Sequence, residues 1–568
     1  MKPSRHLWHG ARGHVRVFGL IGTLLAVLIP VPTSDGQGIV PAQRESTFGG
    51  AIATLIAANE PAPIARGSRA RRLDLERLYA LASHHPLWTR DGRSTREARD
   101  VLEVIAASDT RGLRPSDYQI EMLMALVSSL EGAPQPDSAR LAETDVAISR
   151  ALLQLLHDLD RGRVDPGVLG LELPGSHGDR DLAPVALAVS QAGDVPNVIG
   201  SVEPPYAGYA ALIRLLGRYR TLVSDTSLRL PPTRQTVRPN DIYDDAPRLR
   251  RLLLALGDLP ATAATPTEPN RYAGSLVLAV MHFQRRHGLE PDGKLGPATM
   301  EELRAPIADR VWQIELALER WRWLPDRPPA RYIVINIPAF RLYAFENDSA
   351  AEHPRLAMNV IVGEAERRRD TPVFVGEMRE LVFRPYWDIP VRIARTELVP
   401  QIKRGAIDMD AEGYEIVGSG DNPRIYPATR ANLNAVAAGT LRMRQRPGSG
   451  NALGLVKFVF PNNHNVYLHG TPAVQLFSYA RRDFSHGCIR AEQPTALAEF
   501  ALCNDSTWNR WAIEEAMHGQ QTLRIPLAKP VTVYILYITA VVAPDGTAYF
   551  YPDLYEQDVA LDRALSAR

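Results

Sequence analysis

The spacing of apolar residues changes once along this chain, and the change divides it. From about residue 46 to residue 238, apolar side chains recur every three or four positions, which predicts helices. The clearest is 141–159, where Val146, Leu152, Leu153, Leu155, Leu156 and Leu159 form a broad apolar face that Asp160-Arg161-Gly162 terminates. The same period runs through 73–82 and 95–107, and Asp165-Pro166 and Glu203-Pro204-Pro205 punctuate the connections. Residues 240–308 predict a compact module of three helices. Two of these are 247–256 and 276–287; Gly288 ends the second, Pro291-Asp292-Gly293 forms a turn, and Gly296-Pro297 opens the third. A Trp-rich helix over 311–323 follows, assigned with 309–330 to the first helical unit.

From Arg331 the period becomes two. Residues 332–337, 341–345, 358–362, 455–460 and 465–468 predict strands, the last delivering His469 at a strand end. Residues 531–542 are apolar but too short and too polar to span a bilayer, so they predict a core strand. Pro544-Asp545-Gly546 would turn it into a hairpin with 547–551. The domain from 331 to 560 is thus mostly β, and the chain as a whole is a multidomain α+β protein. Within that domain, 395–453 is rich in Gly, Asn and Asp and interrupts the strand pattern. It contains no Gly-Lys-Ser/Thr, so it is not a phosphate loop.

Composition narrows the picture. At 568 residues there is room for three or four domains, and 45% hydrophobic with 23% charged residues describes a folded chain. A formal net charge of +1 gives no reason to expect nucleic acid as a partner. Lys2, Arg5, Arg12 and Arg16 precede an apolar run over 17–31, the pattern of a signal peptide or an N-terminal anchor over 1–38. Either would place the rest of the protein outside the inner membrane, in the periplasm, with membrane contact only through that anchor. Of two cysteines, Cys503 lies in an apolar helical stretch and is expected to be a buried free thiol. A disulfide to Cys488 is the alternative, one that a nucleophilic Cys488 would forbid.

Candidate chemistry is concentrated near the C-terminus. His469-Gly470-Thr471 is followed by Ser485-His486-Gly487-Cys488-Ile489-Arg490. A thiol nucleophile needs a base to ionise it and donors to hold an oxyanion, and this stretch can supply both. Two other readings compete: a structural buried cysteine, and a zinc site built from His469, His486 and Cys488. The turn-like, polar context argues against the first, and the lack of a paired ligand motif against the second.

Ser-His-Gly-Cys-Ile-Arg preceded by His-Gly-Thr-Pro resembles the active-site signature of the L,D-transpeptidases, with their YkuD-type catalytic domain. Upstream, His85-Pro86-Leu87-Trp88, Arg111 through Tyr118 and Asp158 through Pro166, in that order, resemble the scaffold domain of the large YcbB-like enzymes of Gram-negative bacteria. Phe283 through Leu289, Pro291-Asp292-Gly293 and Leu295 through Thr299 resemble the three-helix peptidoglycan-binding domain. The YcbB-like resemblance implies a lid subdomain at about 395–453.

Carried over by position, the resemblance implies Cys488 as nucleophile, His469 as base and the carbonyl of Gly470 as its orienter. The backbone of Gly487 and Cys488 would form the oxyanion hole, with His486 beside it. Arg490, Ser485, Tyr467, Trp387, Arg444 and Arg446 are candidates for substrate binding. The implied substrate is a peptidoglycan stem tetrapeptide that loses D-Ala through a thioester and yields a 3→3 cross-link. Carbapenem acylation of Cys488 is a further implication, and other cell-wall synthesis proteins are possible partners. No cofactor and no metal are expected, because the thiol supplies the covalent step. A non-catalytic wall-binding protein and a zinc-dependent wall peptidase are the alternatives.

Overall fold

The computed structural model describes residues 41–58, 68–131, 137–173, 180–233, 235–264, 267–346, 353–420 and 423–567. The expected leader over 1–38 lies outside them. No helix among the described residues is long and apolar enough to cross a membrane.

The long helix Ser138–Arg161 is the axis of the N-terminal part, with Leu152, Leu155 and Leu156 fully buried against Ile52, Leu78, Val101 and Ile105 of neighbouring helices. A buried carboxylate fixes the segment that carries His85-Pro86-Leu87-Trp88. Asp145 accepts backbone N–H bonds from Leu87 (3.1 Å) and Trp88 (2.8 Å) and the Tyr79 hydroxyl (2.7 Å), while Trp88 Nε1 donates to Ser149 Oγ (2.8 Å). Every polar group in that cluster has a partner, which is what makes its burial tolerable.

Helices Ala246–Leu256, Ser275–Arg286 and Pro297–Arg304 enclose Leu249, Leu253, Val280, Phe283 and Leu303. Gln284 explains much of the sequence string read there. Its amide donates to Asp292 Oδ1, Lys294 O and Thr299 Oγ1 and accepts from Gly293 N, so one buried side chain holds the turn between the last two helices. The next residues leave the module. Arg286, paired with Asp258 inside it, also reaches Ala548 O at 3.4 Å, and His287 stacks on Phe550, both in the C-terminal hairpin.

Nine strands form the C-terminal sheet. Their order is Asp483–Ser485, Leu356–Gly363, Ile489–Ala491, Leu468–His469, Val456–Val459, Phe374–Phe383, Leu523–Leu536, Arg331–Asn336 and Arg341–Glu346. Arg341–Glu346 also pairs with Leu356–Gly363, so the ladder closes into a barrel. Its interior is filled by Ile333, Ile335, Met358, Val360, Val456, Phe458, Leu468 and Ile489. Helices Ala207–Leu222 and Ile307–Trp321 lie side by side, with Leu212, Leu216, Ile314 and Leu318 packed against Leu536, Ile538 and Phe550.

Two strand readings needed correction. The apolar run expected at 531–542 is the end of a longer strand, Leu523–Leu536, followed by a separate one, Ala540–Val542. Side-chain and backbone groups are diverted between them: Ile538 N–H donates to Asn336 Oδ1 and Thr539 Oγ1 to Asp558. The strand expected at 465–468 is confined to Leu468–His469. The segment expected to be a lid subdomain, 395–453, is folded, and it begins earlier than expected. Trp387–Ile389, Arg442–Gln445, Tyr414–Val417 and Ile425–Tyr426 form a separate antiparallel sheet in that order. With helix Arg430–Ala438 and the helical run through 391–403, it buries a core of Ile389, Leu398, Val399, Ile416, Leu433, Val436 and Met443.

Candidate active site

Strand register assembles the site. Leu468–His469 and Ile489–Ala491 run parallel, with His469 beside Arg490 and the N–H of Ile489 bonded to the Tyr467 carbonyl. Leu468 and Ile489 point into the barrel. Because side chains alternate, Tyr467, His469, Cys488 and Arg490 share the outer face. On the other side of His469 the antiparallel partner is Lys457, which places a second cation in the same row.

His469 is 4% exposed and its Nδ1 lies 2.6 Å from the Gly470 carbonyl. A carbonyl only accepts, so Nδ1 carries the proton and Nε2 presents a lone pair. Burial, then the charge of Arg490, lowers its pKa from 6.5 to about 3, so the ring is neutral at physiological pH. The carbonyl that orients it depends on a close backbone approach. Gly454 has φ +65, and a Cβ there would sit 2.6 Å from the carbonyl carbon of Gly470.

Cys488 is partly buried and free, its Sγ 3.8 Å from the Asn465 carbonyl. Burial pushes its thiol pKa up; Tyr467, Lys457 and Arg490 pull the other way. The tight turn before it is braced from beneath. Ser485 Oγ accepts the Gly487 N–H (3.1 Å) and donates to the Cys488 carbonyl (2.5 Å), and Thr371 Oγ1 donates to the Gly487 carbonyl (2.8 Å). Gly487 has φ +114, a conformation that glycine alone adopts without strain.

Several candidates take different places from those expected. Ser485 is 2% exposed and serves the turn, so it does not reach a substrate. The Gly487 N–H is engaged by Ser485, which removes it as an oxyanion donor. His486 turns away from the thiol to the lid: its Nε2 lies 2.8 Å from Glu397 Oε1 and 2.6 Å from Arg369 Nη1. Arg444 pairs with Glu415 at 2.9 Å and lies over the Tyr386 ring, and Arg446 donates to the Asp410 carbonyl. Both are thus engaged within the lid. Trp387, on the lid sheet, meets the Tyr467 phenol, and with it frames the site. Cys503, expected to be buried, is exposed just beyond helix Pro494–Leu502.

Sequence reasoning missed Lys457, Thr371 and Glu397. Lys457 left a trace, a lone charge in Leu455-Val456-Lys457-Phe458-Val459-Phe460. Thr371 and Glu397 left none, since both act through contacts distant in sequence. Among the described residues, no group of three or more His, Cys, Asp or Glu side chains is placed to hold a metal ion.

Comparison with known families agrees with this architecture. Residues 330–532 match the model of the L,D-transpeptidase catalytic domain (YkuD), 73–216 that of the scaffold domain, and 243–303 that of a domain described as "Putative peptidoglycan binding domain". A protein of Haemophilus influenzae named "Putative L,D-transpeptidase" is 28% identical over 252 residues, which are 44% of this chain and 49% of the relative. The chain thus spans about half the length of that relative.

Proposed function

We propose that this chain, which carries an L,D-transpeptidase catalytic domain with a scaffold domain and a peptidoglycan-binding domain, is a periplasmic transpeptidase acting on peptidoglycan stem peptides. The observation that carries the reading is the shared outer face of Cys488 and His469, with the imidazole held in one tautomer by the Gly470 carbonyl. An orienter, a base and a nucleophile in that relation suit acyl transfer to a thiol.

In this reading His469 Nε2 takes the Cys488 proton as Sγ attacks the carbonyl of the third stem residue. The oxyanion is held by the Cys488 N–H, since that of Gly487 is engaged by Ser485. Collapse breaks the C–N bond, and His469 returns the proton to the departing amine of D-Ala. The side-chain amine of a second stem then attacks the thioester; His469 takes the amine proton, the C–S bond breaks, and the proton returns to the departing Cys488 sulfur, giving a 3→3 cross-link and restoring the thiol. The chain's own residues supply each proton transfer in this scheme.

Incubating the full chain with purified tetrapeptide muropeptides tests the proposal. Mass spectrometry should find free D-Ala, a thioester adduct on Cys488 and cross-linked dimers. Substrate recovered intact, with no adduct, would reject it. A wall-binding role without catalysis predicts that second result, and the braced turn around Cys488 has no purpose under it.

A further inference from the structure

Strand Val456–Val459 has one charged side chain in an otherwise apolar run. Val456 and Phe458 fill the barrel, which puts Lys457 on the outer face beside His469. Its Nζ lies 3.8 Å from the centre of the Tyr467 ring. Burial lowers its pKa, which the nearby Cys488 partly offsets. The acids around it are engaged elsewhere: Asp388 with Arg442 at 3.2 Å and Glu380 with Arg524 at 2.6 Å. Among the described residues Lys457 forms no ion pair. Arg490, in the same row beyond His469, forms none either, and its Nε is buried without a hydrogen-bond partner. Two partly buried cations without counter-charges thus flank the imidazole. Their desolvation is costly unless an anion completes the site.

His469 protonates the amine that leaves, so whatever is bonded to that amine lies beside His469. In a stem tetrapeptide the next carbon bears the terminal carboxylate. We propose that Lys457 binds the free carboxylate of the departing residue and makes it the mark by which a donor stem is accepted. A stem extended past that residue has an amide at this position and leaves the cation unpaired. The assignment rests on the acyl-transfer reading above.

The test compares two donors, a tetrapeptide ending in the free acid and the same peptide ending in a primary amide, on the full chain and on Lys457→Met, Lys457→Gln and Lys457→Arg. A charged hydrogen bond of about 1.5–3 kcal/mol corresponds to a preference of roughly 10- to 100-fold. The parent should favour the acid by about that factor in kcat/KM. Lys457→Met and Lys457→Gln should lose it on the acid alone, and Lys457→Arg should retain most of it. An equal loss on both donors would overturn the proposal. A second measurement needs no turnover: the rate of Cys488 alkylation by iodoacetate relative to neutral iodoacetamide. That ratio should fall in Lys457→Met and Lys457→Gln, and an unchanged ratio overturns the carboxylate site whatever the enzyme's activity. A fall in the ratio from a parent that releases no D-Ala would uphold the site while rejecting the transpeptidase reading.

Discussion

Glu397 Oε1 of the lid lies 2.8 Å from His486 Nε2 of the nucleophile turn, and Arg369 Nη2 donates to the same oxygen at 2.7 Å. Burial alone would raise the carboxyl pKa, but His486 and Arg369 hold it below its ordinary value of 4.5. With the latched pKa lowered, the latch is favoured above the ordinary carboxylate range and is lost as pH falls through the lowered value. Amide exchange in the lid helix Val399–Lys403 should be slower in the parent than in Glu397→Gln at pH 7, and the two should converge once the pH has fallen through the lowered carboxyl pKa. Identical protection at both pH values would show that the contact does not hold the lid.

Cys488 and Cys503 are separate free thiols, so they should respond independently. Cys488→Ala should abolish D-Ala release, and Cys503→Ala should retain it. A carbapenem should add once, at Cys488, by intact mass. Loss of activity in both variants would instead point to a shared role.

His469 ties acid sensitivity to the site. Its pKa is lowered on folding from 6.5 to about 3, so the unfolded chain binds a proton that the folded one refuses throughout that window. Folding stability should therefore decline as pH drops from about 6.5 towards 3, and level off below. Denaturant midpoints for the parent should fall more steeply over this range than those of His469→Asn. Parallel curves would contradict the burial of a neutral imidazole.

Gly454→Ala should uncouple the base from its orienter. The new methyl meets the Gly470 backbone, and φ +65 adds strain of about 1–2 kcal/mol. Melting temperature should fall, and acylation of Cys488 by more than the loss of folded protein accounts for, because the Gly470 carbonyl that selects the imidazole tautomer is displaced. A loss of activity no larger than the loss of folded protein would remove this role.

Excising 240–308 should lower the melting temperature of the C-terminal domain. Arg286 and His287 contact Ala548 and Phe550, so the module is docked on the barrel's appended hairpin. Replacing it with a flexible linker exposes Phe550, which is 1% exposed in the intact chain. An unchanged melting curve would mean that the module is only tethered, in which case activity on sacculi would isolate its binding role.

The sequence discloses what local pattern controls. Alternation identified the barrel strand Val456–Val459 beside His469, and helical period identified Ser138–Arg161, but the strand expected at 465–468 is only Leu468–His469. The short segments of the lid sheet were hidden because Gly and Asn between them mimic a loop, and only tertiary burial of Ile416 and Met443 makes them strands. In the site, the motif pointed to Cys488 and His469 by residue type. It could not tell that Ser485 faces inward or that His486 faces the lid, since both depend on how the turn packs against Thr371, Arg369 and Glu397.

The lid leaves and rejoins the barrel at one place. Phe383, just before it, is paired with Val456, just after it, so the two flanking strands are hydrogen-bonded neighbours with the whole subdomain hung between them. Seen as a lineage problem, this makes the lid an exchangeable ornament on a hairpin. Segments of very different size can occupy the gap at little extra closure entropy, and the strands beneath keep their register. Under the proposed function, selection could reshape the subdomain over Cys488 without disturbing the strands that carry His469 and Cys488.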